Sequence, residues 1–323
     1  MHTRLYRNGR LESEGFPIAD VSRYVGDRDA TVWFDLCAPS PADLALIGEE
    51  LGLHELALED VLAGHQRPKL DIYDNHLFIA AYGVHFDDDR RVHAVEVDVF
   101  VTANALVTIR ESGHFDIAEV VRRWDAAAHL AGHGVMFLLH GLLDYVVDTQ
   151  FELAQDLDAE AEELEESLFA EQLSNGKDLQ RTLYVLRKNA TKLRRVSLPM
   201  HEVIGTLLRR DQALMGDPVM APYYEDVRDH VLRVGEWVDA VRDMLANVRD
   251  TRLAQQGFRL NEIMKKITSW AAIIAVPTAI TGFYGQNLPY PGTGEQWGFW
   301  LSTALMGLTS VALYVVFKKK DWL

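Results

Sequence analysis

The chain has 323 residues, a formal net charge of −16 and one cysteine, Cys37. That length fits about two domains, and the acidic balance argues against a nucleic-acid partner, since tracking phosphates calls for a basic stripe. An acidic chain suits cations instead, and a lone cysteine excludes an intramolecular disulfide framework and fits a reducing compartment.

The N-terminal sequence MHTRLYRNGR has no apolar run of the signal-peptide kind. Residues 1–140 read as an α/β layered cytosolic domain with a mixed sheet. Thr31–Leu36, Leu77–His85, Val92–Thr102 and Ala105–Arg110 are rich in Val, Ile, Phe and Thr and predict strands. Val95, Val97, Val99 and Val101 alternate along one of them, so at least one sheet face is covered. Ser40 and Pro41 predict the N-cap and first turn of a helix running to Leu51, and His54–Ala63 predicts another.

Chemistry is thin in this domain. Asp87-Asp88-Asp89 is either a solvated hairpin tip or a loop that touches a cation. His85, His93, His133 and His140 lack zinc-site spacing and read as scattered surface or packing residues. Cys37 reads as a small core residue. No phosphate-binding loop, nucleophile elbow or metalloprotease motif is present in the sequence, so an enzyme is not expected.

Residues 141–222 predict a long helical hairpin. Asp144–Glu171 holds eleven acids and no Lys or Arg, whereas Lys177–Arg210 holds nine Lys or Arg and two acids. Ser174-Asn175-Gly176 reads as the turn between the arms. Either the opposite charges meet across the seam or the arms simply present two solvated faces. In both cases the hairpin is expected to project from the first domain, with Pro199 kinking or interrupting its second arm.

Residues 223–284 predict one long helix, roughly 90 Å at 1.5 Å per residue. Val227, Val231, Val234, Val238, Val241, Leu245 and Val248 make a heptad seam. The helix leads into eighteen uncharged residues, Ile267–Tyr284, and nineteen more follow at Phe299–Phe317. Both approach the roughly 20 residues that cross a bilayer core. Lys265 and Lys266 precede the first run, and Lys318, Lys319 and Lys320 form a basic tail (318–323) after the second. By the positive-inside rule both ends face the cytoplasm and the loop 285–298 lies outside. A multi-pass cell-membrane protein with cytoplasmic termini is therefore expected.

The first span is polar for a lipid anchor. Asn261, Met264, Thr268, Ala271, Ala275, Thr278 and Gly282 share one stripe. They serve either helix packing or a narrow wet path. The second span reads as lipid-facing. One polar and one apolar helix cannot enclose a pore, so several copies would have to surround it.

The sequence resembles the CorA family of divalent-cation channels, which carries two membrane spans and a GxN motif. The resemblance rests on Tyr284-Gly285-Gln286-Asn287, Asn261-Glu262-Ile263-Met264-Lys265-Lys266, Pro277 and the chain end Phe317-Lys318-Lys319-Lys320-Asp321-Trp322-Leu323. Leu58-Glu59-Asp60-Val61-Leu62 and His65-Gln66-Arg67-Pro68-Lys69 add to it.

The resemblance implies a homopentamer with an α+β fold, a funnel of long helices and a Mg2+ (and Co2+) influx pore lined by the first span. It implies a filter at Gly285, Gln286 and Asn287, with Asn261, Met264 and Ile267 at the cytoplasmic constriction. Glu295 would attract cations, and regulatory Mg2+ would bind between subunits at Asp89 and Asp226. No organic cofactor is implied. Gln286 stands where the family usually has Met, which leaves a ZntB-type Zn2+ transporter open. A membrane-tethered helical scaffold or sensor is a further alternative.

Overall fold

The computed structural model describes residues 2–17, 20–27, 29–169, 176–209, 217–286, 289 and 292–323. The chain divides into two compact units, Met1–Ala246 and Asn247–Leu323.

In the first unit seven strands form one sheet in the order β2-β1-β3-β7-β6-β5-β4. They are β1 (His2–Arg7), β2 (Arg10–Glu14), β3 (Ala30–Cys37), β4 (Lys69–Ile72), β5 (Leu77–Phe86), β6 (Val92–Val101) and β7 (Ala105–Arg110). Among the described residues only β3 and β7 pair in parallel, so the sheet is mixed, as expected. Asn8 and Gly9 both have positive φ, 51° and 73°. An Asn-Gly pair adopts that conformation at low cost and matches the strand twist. It closes the β1–β2 hairpin, which the sequence reading passed over because the strands it joins are polar.

Side chains alternate across the sheet with period two. Trp33, Leu77, Ile79, Val97, Val99 and Leu106 enter one core. Val32, Phe34, Phe78, Phe100 and Val107 enter the other. The second face is covered by α2 (Pro41–Leu51) and α3 (Glu55–Ala63). Ser40 and Asp43 form a capping box at the start of α2, with Pro41 at its first turn. The remaining short helices are α1 (Val21–Val25) and α4 (Ile117–Ala126).

The first face is covered by α4 and by α5 (Val135–Phe169), with residues of α6 (Gly176–Leu207) and α7 (Ala221–Tyr284) joining the same core. Here the expected hairpin needs correction. Its first arm begins on the sheet, where Leu138, Leu139, Leu142, Leu143, Val146 and Val147 give α5 an apolar stripe. The expected boundary at 140/141 falls inside α5. The charges of α5 and α6 do not meet. Among the described residues no ion pair joins the two helices; Arg90 reaches Asp156 and Glu160 of α5, and Arg194 reaches Asp239 of α7 at 2.9 Å. Helix α6 runs through Pro199 without interruption. The expected turn at Ser174 and Asn175 lies outside the described residues. Cys37, expected in the core, is exposed at the end of β3.

A buried ion pair anchors the sheet. The Arg110 guanidinium donates to both oxygens of Asp35 at 2.8 and 2.6 Å, Thr108 donates to Asp35, and Trp33 donates to Thr108. A paired charge this deep is tolerated only with its hydrogen bonds complete.

Helix α7 has 64 residues. Its heptad valines 227, 231, 234, 238 and 241, with Leu245, are all buried, as their spacing predicts. The second unit contains the rest of α7 and α8 (Gln296–Lys319).

Candidate ion pathway

Among the described residues two helices are long and apolar enough to cross a membrane, α7 and α8, and only 6% of each apolar window is buried. Phe258 is 73% exposed, Ile274 64% and Leu308 72%. Apolar surface on this scale requires a cover that one chain in water does not provide.

Exposure around α7 is uneven. Asn261, Met264, Ile267, Thr268, Ala271, Ala275, Thr278 and Gly282 are all exposed. Ser269 is buried, and Ala272, Ile273, Val276, Pro277 and Ile280 are partly covered. These two sets are opposite faces of a 3.6-residue helix. On α8 the covered face runs through Gly298, Ser302, Met306, Thr309, Ser310 and Leu313. Each span therefore has one face already shielded within its unit, and in α7 the polar stripe lies within the surface left open, beside the exposed Trp270, Ile274 and Phe283.

Several hydroxyls of the spans are held by their own helices. Thr278 donates to the Ile274 carbonyl at 2.8 Å and Thr281 to the Thr278 carbonyl at 2.9 Å. On α8, Ser302 and Thr303 donate to Phe299, and Thr309 to Leu305. Such back-bonding satisfies the proton in apolar surroundings and leaves the oxygen free to accept. An acceptor facing a lumen is what a hydrated cation can use.

Helix α7 ends where Gly285 donates to the Thr281 carbonyl at 2.8 Å. A Cβ on Gly285 would stand 3.0 Å from that oxygen, so any larger residue presses on the closing bond. Gln286 is exposed and donates its backbone N–H to Phe283 at 3.3 Å. Asn287, the expected filter residue, lies outside the described residues. The return into α8 is tight: a Cβ on Gly298 would fall 2.4 Å from the Gly292 carbonyl oxygen. Glu295 sits at the N-cap of α8 and is exposed. A carboxylate there is favoured by the helix dipole. At the other end Lys318 and Lys319 lie in the last turn and Lys320 at the C-cap, where cations complement the dipole. Lys318 stands over the Tyr314 ring and Lys320 over Trp322.

The expected regulatory pair belongs to the first unit. Asp89 sits in the β5–β6 turn, where its N–H donates to Asp87 Oδ1 at 3.0 Å and its carboxylate lies 3.8 Å from Arg91. Asp226 is exposed near the start of α7, between buried Tyr224 and Val227. Tyr224 donates its hydroxyl to the Met136 carbonyl at 2.9 Å, which pins that turn.

Two groupings escaped the sequence reading. Asp144, Asp148 and His230 bring ligand atoms within 4.8 Å of one another. Arg123 already bridges the two carboxylates at 2.9 and 2.6 Å, so an internal cation stands there. Burial and the neighbouring Asp148 push the Asp144 carboxyl up. Second, His85, His93 and His114, which have no sequence spacing in common, come together on one side of the sheet. The expectation of scattered histidines is corrected for two of its members, His85 and His93. Their i-to-j spacing is set by strand register, which a linear motif search does not read.

The family model described as "CorA-like Mg2+ transporter protein" matches residues 28–319. The chain is 32% identical over 322 residues to a cobalt/magnesium transport protein CorA of Thermotoga maritima, covering 97% of this chain and 90% of that one. It is 29% identical to a putative metal ion transporter, YfjQ, of Bacillus subtilis, over 91% and 90% of the two chains. Its fold is similar to the complete structure of the CorA magnesium transporter from Methanocaldococcus jannaschii, with a TM-score of 0.79, 22% identity and 99% and 98% coverage. With a mixed-sheet domain, long helices and two candidate spans in that same order, the chain belongs to the CorA-like Mg2+ transporter family and is a membrane transport protein, not an enzyme.

Proposed function

We propose that the chain is a homopentameric influx channel for Mg2+, and for Co2+, with α7 lining the pore. The observation that carries this is the open polar stripe of α7, opposite its covered face. Copies arranged around an axis would turn Asn261, Met264, Thr268, Ala271, Thr278 and Gly282 inward and leave α8 to lipid. Thermotoga maritima and Methanocaldococcus jannaschii relatives that carry cobalt and magnesium in their names favour those ions.

Mg2+ keeps its octahedral waters and dehydrates reluctantly. A ring of Asn287 amides, with Gly285 and Gln286, would accept hydrogen bonds from those waters without stripping them. Glu295 would raise the local cation concentration at the mouth. In this reading Lys265, Lys266 and Lys318–Lys320 hold both termini in the cytoplasm and loop 285–298 outside. Entry of a divalent ion then gains about 4.6 kcal/mol per 100 mV, twice the single-charge value. Cytosolic Mg2+ between Asp89 of one subunit and Asp226 of the next would favour the closed form and leave it when the ion is scarce.

The test is ion flux into liposomes, comparing Mg2+, Co2+ and Zn2+ in one preparation. Asn287→Ala should abolish Mg2+ flux while the oligomer still elutes intact. Retained flux refutes the filter, Zn2+ preference moves the chain to the ZntB type, and no flux of any ion leaves the scaffold reading. Asp89→Ala with Asp226→Ala should relieve inhibition by Mg2+ on the cytoplasmic side; unchanged inhibition removes that pair from gating.

A further inference from the structure

His85 and His93 are direct cross-strand partners in the β5–β6 register. Cross-strand neighbours on one face hold their Cβ atoms about 4.5–5.5 Å apart. Their rings stack with centroids 5.8 Å apart and planes 27° from parallel. His114, from the segment between β7 and α4, stacks on His85 at 5.7 Å and 19°. Three imidazoles thus come from three parts of the chain to one place, and all three line a cavity of about 310 Å3 together with Asp87, Glu96 and Glu111.

Several features make this a ligand set rather than a packing cluster. His93 and His114 are exposed, so they are not there to fill a core. Asp87 Oδ2 lies 3.1 Å from His93 Nε2. A carboxylate there fixes the imidazole tautomer and leaves Nδ1 as donor, as supporting groups do at metal sites. Asp87 itself is held by the backbone N–H groups of Arg91 and Asp89.

We infer that His85, His93 and His114 form a binding site for a borderline divalent transition metal such as Co2+, Ni2+ or Zn2+. His85 and His93 grip the ion across the hairpin, His114 closes from its loop, and water or Glu111 completes the shell. Nitrogen donors at about 2.0–2.1 Å from a tetrahedral ion stand roughly 3.3 Å apart. His85 stacks on each of the other two rings, so side-chain rotation would have to bring the three nitrogens together around one ion. Imidazole suits these ions, whereas Mg2+ prefers oxygen, so the site would distinguish a transition metal from Mg2+ independently of the pore. Binding would also tie the segment before α4 to the β5–β6 turn, whose Arg90 pairs with Asp156 and Glu160 of α5.

The experiment uses the full-length protein in detergent, stripped with chelator and titrated with Co2+ in millimolar Mg2+. Magnesium fills oxygen-donor sites and leaves an imidazole site free. One Co2+ per chain should bind, with visible d–d bands of a nitrogen-rich tetrahedral or five-coordinate ion. Binding should fall as pH drops from 7 to 5, because protons compete for the imidazoles. His93→Gln and His114→Gln are surface changes. Each should weaken Co2+ by at least the roughly 10–100-fold that losing a supporting group costs, and the double variant should lose the bands with its circular dichroism unchanged. Bands that survive in the double variant, Co2+ that Mg2+ displaces, or no Co2+ bound by the unmodified protein would each overturn the assignment.

Discussion

The two units put apolar side chains to opposite uses. In Met1–Ala246 the valines and leucines of β5, β6, α5 and the start of α7 are buried on both faces of a sheet. In Asn247–Leu323 residues of the same types, such as Ile274, Leu301, Leu308 and Val311, are at least half exposed. The chemistry of a leucine does not change along the chain. What changes is the medium that completes it: the first unit supplies its own, and the second leaves it to the membrane.

The largest effect expected from disturbing this contrast lies in the first unit. Asp35→Ala strands the Arg110 guanidinium inside the sheet and should cost about 3–5 kcal/mol. Thermal unfolding of the detergent-solubilised protein measures it, and a shift too small to resolve would mean that water reaches Arg110.

A matched pair of changes sharpens the comparison next. Leu56 on α3 is 55% exposed and Leu308 on α8 is 72% exposed. If the first faces water and the second lipid, Leu56→Lys should be within about 0.5 kcal/mol of neutral. Leu308→Lys should oppose membrane insertion by about 2.5–3.5 kcal/mol. Glycosylation-based insertion assays for the span and melting curves for the domain read the two. Equal tolerance of both substitutions would break the contrast.

Leu142 and Leu308 give a second matched pair. Leu142 is fully buried, and Leu142→Ala should cost about 2–5 kcal/mol. Leu308→Ala opens no cavity and should change the unfolding midpoint far less.

A further effect concerns pH. Asp98 is buried, its Oδ1 has no hydrogen-bond partner among the described residues, and burial, with help from Glu96 and Asp60, pushes its carboxyl up to about 8. The folded state therefore holds a proton that the unfolded state releases above its ordinary value near 4. Stability from this group is present at low pH and declines as pH rises from about 4 to about 8. Asp98→Asn should remove that decline, so its advantage grows between pH 5 and pH 8. Parallel pH profiles for the two proteins would contradict the shift.

Much of the fold is legible in the residues. The alternation in β6, the N-cap at Ser40 with Pro41 after it, the valine seam of α7 and the two uncharged runs each depend on local period or composition, and each lies where its pattern predicts. The β1–β2 hairpin and β4 were less visible, since their strands are short and polar and are held by pairing rather than by an apolar stripe. The charged faces of α5 and α6 misled, because net charge along a helix does not say which neighbour its side chains meet. Arg90 comes from a strand turn, and Arg194 finds α7.

The sequence by itself determined that this is an acidic chain with two uncharged runs long enough to span a membrane, and with a polar stripe leading to Gly285-Gln286-Asn287. Period, charge and hydropathy are local properties, and a single strand of text carries them. Tertiary structure alone decided that both sheet faces are covered, that the stripe of α7 lies within its open surface, and that Arg123 occupies the Asp144–Asp148 pair. It alone gathered His85, His93 and His114, because strand register and the segment before α4, not spacing in the sequence, set which side chains can reach one ion.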